Sequence, residues 1–230
     1  MFVIPCKYKT GFPFVITLCE EIRKFHPSEK ICVVDSDSSD KSYFSALYDL
    51  GVIVEDVANK NWMIGAYWHG YERFPDEEYY YFLHDSMRVK SNLDYLKEID
   101  VVNLMYFDRR VGNFNDWGEK INQETKYKYN YDGFGILGPI FFCKNKVIKK
   151  MKEQGANKIL PTSKQETGYC EGSYGFFLED QGYDMIEYSL FGNVFENESP
   201  TGKSGLAPHY TEWQFPVEKF YAYNAYPDRL

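Results

Sequence analysis

The 230-residue chain has no run of lysines or arginines. With 26 basic side chains against 34 acidic ones its net charge is −8. It therefore lacks the basic stripe that binding to a phosphate backbone requires, and nucleic acid is excluded as the expected partner. What remains is a scatter of isolated cations, Lys7 and Lys9 early and Arg109 and Arg110 later, on the scale of a diphosphate. The five cysteines are odd in number and none belongs to a C-x-x-C pair, which removes the zinc and redox motifs and leaves reduced thiols in a cytosol as the expectation. No stretch approaches the ~18 consecutive apolar residues of a membrane span. Met1-Phe2-Val3-Ile4-Pro5 has no basic segment ahead of its short apolar run, which argues against a signal peptide. The chain is expected in the cytoplasm, with no membrane span. It also lacks internal repeats and low-complexity linkers.

Aromatic residues are abundant. They make up 19% of the chain, with 21 Tyr and 18 Phe, within a hydrophobic fraction of 44%. That composition lies well outside the range of disorder, and the length suits one compact domain with a full core.

The hydrophobic pattern alternates between strand and helix. FVIPC opens as a short buried strand stopped at Pro5, and residues 12–25 carry apolar side chains at helical spacing. Residues 30–40 give a second apolar run ending in carboxylates and serines, residues 42–51 a helix closed by Gly51, and residues 52–57 a third strand. A helical pattern over 59–74 is followed by an aromatic strand over 78–86, a helix over 91–99 and a strand over 101–107. Residues 108–132 read as an irregular excursion, 133–153 as strand then helix, and 166–191 as a loop, a short helix ending near Gly182 and a last strand. The tail from 192 to 230 has little period and is expected to wrap the body or cover a site. This alternation predicts an α/β fold, a mixed and mostly parallel central sheet with helices on both faces. Ligands of such sheets gather at the carboxyl ends of the strands.

Two acid clusters fall at strand ends, Asp35 and Asp37 after the second strand, and Asp85 in His84-Asp85-Ser86 after the aromatic strand. Carboxylates there can accept ribose or base hydrogen bonds, or hold a hard cation against phosphates; the same residues also serve as ordinary turn and cap formers. Two other motifs fail on their own terms. Residues 35–46 begin like an EF-hand loop but carry Asp40 and Ala46 where glycine and glutamate are needed. Gly168-Tyr169-Cys170-Glu171-Gly172 fits the spacing of a nucleophile elbow, yet PTSKQET ahead of it is a poor strand.

The order of the pieces resembles the GT-A fold glycosyltransferases of the family 2 type, over roughly residues 2–190. FVIPCK, with Pro5, corresponds to the strand that enters the nucleotide site, and Asp35 of VVDSDS to the acid that contacts base or ribose. NWMIGAYWHG, with Asn61, Gly65, Ala66 and Gly70, is similar to the helix that lines the nucleotide, and FLHDS stands where that family carries its D-x-D motif, here reduced to Asp85 between His84 and Ser86. Glu171, ahead of Gly182-Tyr183, matches the acid that serves as base in inverting members, with Glu166, Glu179 and Asp180 as rivals. His209 is similar to a C-terminal histidine that completes metal coordination. The resemblance implies a single domain over 1–230, with a nucleotide-sugar-binding half over about 1–107 and an acceptor-binding half over about 108–230. It implies transfer of a sugar from a nucleoside diphosphate sugar to a glycan or other hydroxyl acceptor, assisted by Mn²⁺ or Mg²⁺ held by Asp85 and His209. Pro5, Asp35, Asp37, Gly65, His84 and Asp85 would bind the donor and Glu171 would act in catalysis. The alternatives are a sugar-phosphate nucleotidyltransferase and a noncatalytic nucleotide- or sugar-binding module of the same fold.

Overall fold

In the computed structural model, residues 1–9, 13–110, 115–130, 132–136, 138–190 and 217–219 are described. Strands β1 (Phe2–Cys6), β2 (Ile31–Ser36) and β3 (Ile53–Val57) are joined by helices α1 (Phe14–Phe25) and α2 (Phe44–Asp49). Helix α3 (Trp62–Arg73) then leads to β4 (Tyr79–Phe82). After β5 (Met87–Val89) come β6 (Val101–Asn103), β7 (Tyr106–Asp108), α4 (Asn115–Glu124), β8 (Phe134–Ile136), β9 (Phe141–Lys144), α5 (Asn145–Gln154), α6 (Lys164–Glu179) and β10 (Val217–Lys219).

Six strands form the central sheet in the order β3-β2-β1-β4-β9-β6. The pairs β1·β2, β2·β3 and β1·β4 are parallel, and β9 lies antiparallel between β4 and β6. The mixed, mostly parallel α/β sheet expected from the sequence is thus the observed one. Alternate side chains of each strand serve opposite faces, as the period of two requires. Phe2, Ile4, Ile31, Val33, Tyr79 and Tyr81 pack with the apolar stripe of α1 (Val15, Leu18, Cys19, Ile22) and with Leu47 of α2. Val3, Cys32, Val34, Tyr80 and Phe82 pack on the other face with α3, α5 and α6. All five cysteines are buried and none is in a disulfide, in keeping with their reading as thiols. Among the described residues no helix is long and apolar enough to cross a membrane.

Four expectations are corrected. The 91–99 segment is a 3-10 turn, Asp94–Glu98, rather than an α-helix. Residues 101–107 hold two strands in different sheets: Asn103, paired with Phe141, is the last residue of β6, and its side-chain amide donates to the carbonyls of Met185 (3.0 Å) and Tyr188 (3.3 Å). The excursion over 108–132 contains helix α4. Helix α6 begins at Lys164, where Ser163 Oγ accepts from Glu166 N and Glu166 reaches back to Thr162 N, the reciprocal arrangement of a capping box. It runs on to Glu179, and the last strand over 183–190 is reduced to a single bridge between Asn103 and Ser189.

Candidate functional site

The chain leaves β1 toward β2 and β3 on one side and later places β4 on the other, so the direction of winding reverses between β1 and β4. In open α/β sheets that point leaves a crevice at the carboxyl edge, where ligands bind. Here the crevice has a sequence-level cause. Pairing with β4 ends at Val3↔Phe82, whereas β1 continues beside β2 to Cys6↔Asp35. Pro5 stands in the unpaired overhang, where its missing N–H deprives β4 of nothing. One lip of the crevice is Pro5–Tyr8 and the other is the turn His84-Asp85-Ser86, with Asp85 and Ser86 buried and His84 half-buried. Gly138, with φ +62, brings its backbone close to the His84 ring. A side chain there would crowd the imidazole.

Asp35 closes β2 as expected, but its carboxylate faces inward and is fully buried. It accepts from Ser38 N (2.9 Å), from Ser38 Oγ and from the Tyr43 hydroxyl. Ser38 Oγ in turn accepts from Tyr8 N at 2.7 Å. Burial, the Cys6 thiol and the Asp35 carboxylate together push the Tyr43 phenol far above its ordinary pKa, so it remains a donor. Asp35 thereby ties the segment after β1 to the loop after β2 and fixes the floor of the crevice. Asp37, two residues on, is exposed and held at φ +62.

The start of α3 is fastened to the same edge. Asn59 Nδ2 donates to Ser36 Oγ (3.0 Å) and to Trp62 O (2.6 Å), and its Oδ1 accepts from Asn61 N (2.9 Å). A Cβ at Gly65 would overlap Asn59 Oδ1, so glycine is what lets this frame close. Asp37 and Trp62 are the two non-glycine residues with positive φ among those described, and both stand on this edge. Such backbone costs roughly 1–2 kcal/mol per residue and persists where the surroundings over-determine it. The Trp62 side chain is 37% exposed in a chain that buries most of its large aromatics.

Asn61 Nδ2 donates to Pro161 O (2.9 Å), which brings the start of α6 to the start of α3. Glu171 lies half-buried in the second turn of α6, not in a loop ahead of it. Glu166, Glu179 and Asp180 are each bonded within the fold. Glu166 caps the helix and Asp180 accepts from Gln154 Nε2 (2.7 Å). Glu179 accepts from Phe134 N (2.8 Å) and pairs with Arg109 at 2.8 Å; burial nevertheless raises its pKa, outweighing the Arg109 charge. Arg109 is thus a core residue instead of a cation for a diphosphate, while Arg110 is exposed and pairs with Asp108. The partners of Glu179, Asp180 and Arg109 lie far away in sequence, which hides them from a local pattern, whereas those of Glu166 and Arg110 stand within four residues. Ser38 and Tyr43 are nearer, and the Asp-x-x-Ser spacing was a usable signal for the Asp35 hub.

Among the described residues no three His, Cys, Asp or Glu side chains gather closely enough to hold a metal ion. Asp85 has no second carboxylate joined to it in such a group, and His209, Trp213 and the rest of the expected covering tail except 217–219 lie outside the described residues.

No protein-family profile matches the chain, and no curated protein matches it. Solved structures of similar backbone arrangement include TarS of S. aureus, at 12% identity and a TM-score of 0.40 over 64% of this chain and 28% of that one. A TarS fragment, residues 1–349, in complex with UDP matches at 11% identity and a TM-score of 0.43, over 74% of this chain and 53% of that one. A CMP:2-keto-3-deoxy-manno-octonic acid synthetase complexed with CTP matches at 12% identity and a TM-score of 0.46, over 79% and 86% of the two chains. The chain spans between about a quarter and a half of the TarS chains it matches. Likeness of this degree concerns backbone arrangement and passes no residue's role to this chain.

Proposed function

We propose that this chain is a nucleotide-sugar-using transferase that moves a glycosyl group from a nucleoside diphosphate sugar to an acceptor hydroxyl. The observation that carries the reading is the switch point where β1 outruns β4, with Pro5–Tyr8 on one side and His84-Asp85 on the other. The nucleoside lies toward Asp37 and the frame of Ser36, Asn59 and Gly65, and Asp35 supports that floor from beneath. The diphosphate lies toward His84 and Asp85. Glu171 takes the acceptor proton as the acceptor oxygen bonds to the anomeric carbon and the bond from that carbon to the phosphate oxygen breaks. The nucleoside diphosphate leaves with the electron pair. No step here runs through a metal ion.

Calorimetric titration with UDP- and GDP-sugars, followed by product analysis, tests the reading. Binding together with acceptor-dependent release of nucleoside diphosphate supports it. Release of pyrophosphate from a nucleoside triphosphate and a sugar phosphate assigns nucleotidyl transfer instead. Binding with neither reaction leaves a binding module, and absence of binding by any nucleotide refutes the reading.

A further inference from the structure

A cavity of about 310 Å³ lies between α3 and the 3-10 turn Ala156–Lys158. That volume is at the small end of the roughly 300–1,000 Å³ that ligand sites occupy. The cavity shares Asn59 and Gly65 with the edge of the crevice and reaches down α3 to Glu72. From Gly65 to Glu72 the helix rises about 10 Å, so the site is elongated, starting beside the crevice and leading away from it.

The walls of this cavity carry amides rather than free charges. Asn59, Asn61 and Asn157 line it, with Trp68 and Leu160 as its apolar part. Asn61 begins α3 but makes no cap bond to its own helix. Its Nδ2 donates instead to Pro161 O at 2.9 Å, which ties the two walls together and leaves Oδ1 as an acceptor. Asn157 is half-buried on the opposite wall, and its amide bonds to no other group among the described residues. Among the described residues no lysine or arginine lines the cavity. Its carboxylate, Glu72, is paired with Lys152 at 2.8 Å, and His69 is paired with Glu55 at 3.3 Å. A phosphate would find no cation here, and a metal ion no free carboxylate. An amide offers donors and an acceptor side by side, the complement of a hydroxyl. Convergent amides beside an indole and an aliphatic side chain suit a ring with an apolar face and a hydroxyl-bearing edge. A neutral sugar is such a ring.

We propose that this cavity binds the outer units of a neutral oligosaccharide, with Asn61 and Asn157 bonding its hydroxyls and Trp68 and Leu160 meeting its apolar face, and that the end of the bound chain is presented to the crevice as acceptor. The acceptor role rests on the glycosyl-transfer reading, whereas the binding itself does not.

The test is titration of cellotriose, maltotriose and N,N′-diacetylchitobiose into ¹⁵N-labelled protein, with glucose 6-phosphate and glucuronate as charged controls. A neutral saccharide should shift both the indole N–H resonance of Trp68 and the side-chain amide of Asn157. Asn157→Ala should weaken that saccharide about tenfold, the equivalent of one hydrogen-bonding group, and leave the affinity for UDP-sugars unchanged. No shift of either resonance by any of the neutral probes overturns the proposal, as does equal affinity in Asn157→Ala. Tighter binding of a charged control overturns it too, and so does a shift that UDP abolishes, since the saccharide would then lie in the crevice. Saccharide binding by a protein that uses no nucleotide sugar would support the cavity and refute the transfer reading. Transfer with an acceptor KM that Asn157→Ala leaves unchanged would support the transfer reading and overturn this inference.

Discussion

Replacing Arg109 by methionine should be among the most damaging single changes in the chain, although the residue lies away from the crevice. Its side chain is 1% exposed, and both terminal nitrogens of its guanidinium are engaged while the buried Nε has no hydrogen-bond partner. Nη2 lies 2.8 Å from Glu179 and donates to Asp132 O (2.5 Å), while Nη1 donates to Phe134 O at 3.3 Å. The cation also stands over the rings of Tyr129 (5.4 Å) and Phe176 (5.7 Å). Arg109→Met removes the charge and strands the Glu179 carboxylate, a class of change that costs about 3–5 kcal/mol. Glu179→Gln keeps an acceptor for Phe134 N and leaves the arginine its two carbonyls and two rings, so its cost should be nearer 1.5–3 kcal/mol. At roughly 2–4 °C per kcal/mol for a chain of this size, Arg109→Met should lower Tm by about 6–20 °C. Combining Arg109→Met with Glu179→Gln should recover much of the loss, because the pair then strands no charge. Urea unfolding followed by circular dichroism gives all four corners of the cycle. Equal costs for the two single changes, or a double variant as unstable as Arg109→Met, would refute the account of a buried ion pair whose arginine is the held member.

Glu171→Gln should fold and bind donor like the wild type while transferring sugar about 10²- to 10⁴-fold more slowly, whereas Glu166→Gln should lose little beyond its cap; near-normal transfer by Glu171→Gln in a steady-state assay moves the base elsewhere. Trp62→Asn should raise Tm by about 2–4 °C, since asparagine accepts the left-handed backbone that costs tryptophan about 1 kcal/mol; a lower Tm in a calorimetric scan would mean that the indole contributes packing that outweighs the strain. His26 is 2% exposed and its Nε2 accepts from Leu93 N at 3.1 Å, and burial lowers its pKa below 6.5 despite Asp94 nearby. Between that lowered value and 6.5 the unfolded chain binds the extra proton, so stability is full above pH 6.5 and falls as the pH drops, by about 1.4 kcal/mol for each unit of separation. Urea midpoints measured from pH 7.5 to 5 should show that slope in the wild type and a shallower one in His26→Gln; equal slopes refute the assignment.

The first half of the fold was legible because its signals are local. β1, β2 and β4 are apolar runs that end close to Pro5, Asp35 and Asp85, Gly51 separates α2 from β3, and α1 carries its stripe at the expected spacing. The second half depends on contacts that no short window contains. VVNLMYF reads as one strand until Asn103 is seen bonding to residues beyond 184. Helix α6 looks like a loop because of Gly168, Gly172 and Gly175, yet a Cβ at Gly175 would overlap Phe134 O, so the glycine serves close packing of α6 on β8. Its true start was nevertheless written in Ser163 and Glu166. At the crevice, the positions of Pro5, Asp35 and Asp85 followed from strand ends, whereas the inward turn of Asp35 required packing to be known.

The antiparallel insertion of β9 sets an order of assembly. β1, β2 and β3 pair through crossovers of ordinary length, so that part of the sheet can form from contacts near in sequence. β4 gains its second neighbour only when Phe141–Lys144 returns past β5 to β8, and β6 has no ladder in the central sheet until β9 has docked. Loop closure of that length is unfavourable before the contacts that reward it are made. The Asp85 lip therefore completes late, after the Asp35 lip is already in place. Refolding followed at the two lips should show two rates, with nucleotide-binding competence appearing at the slower one.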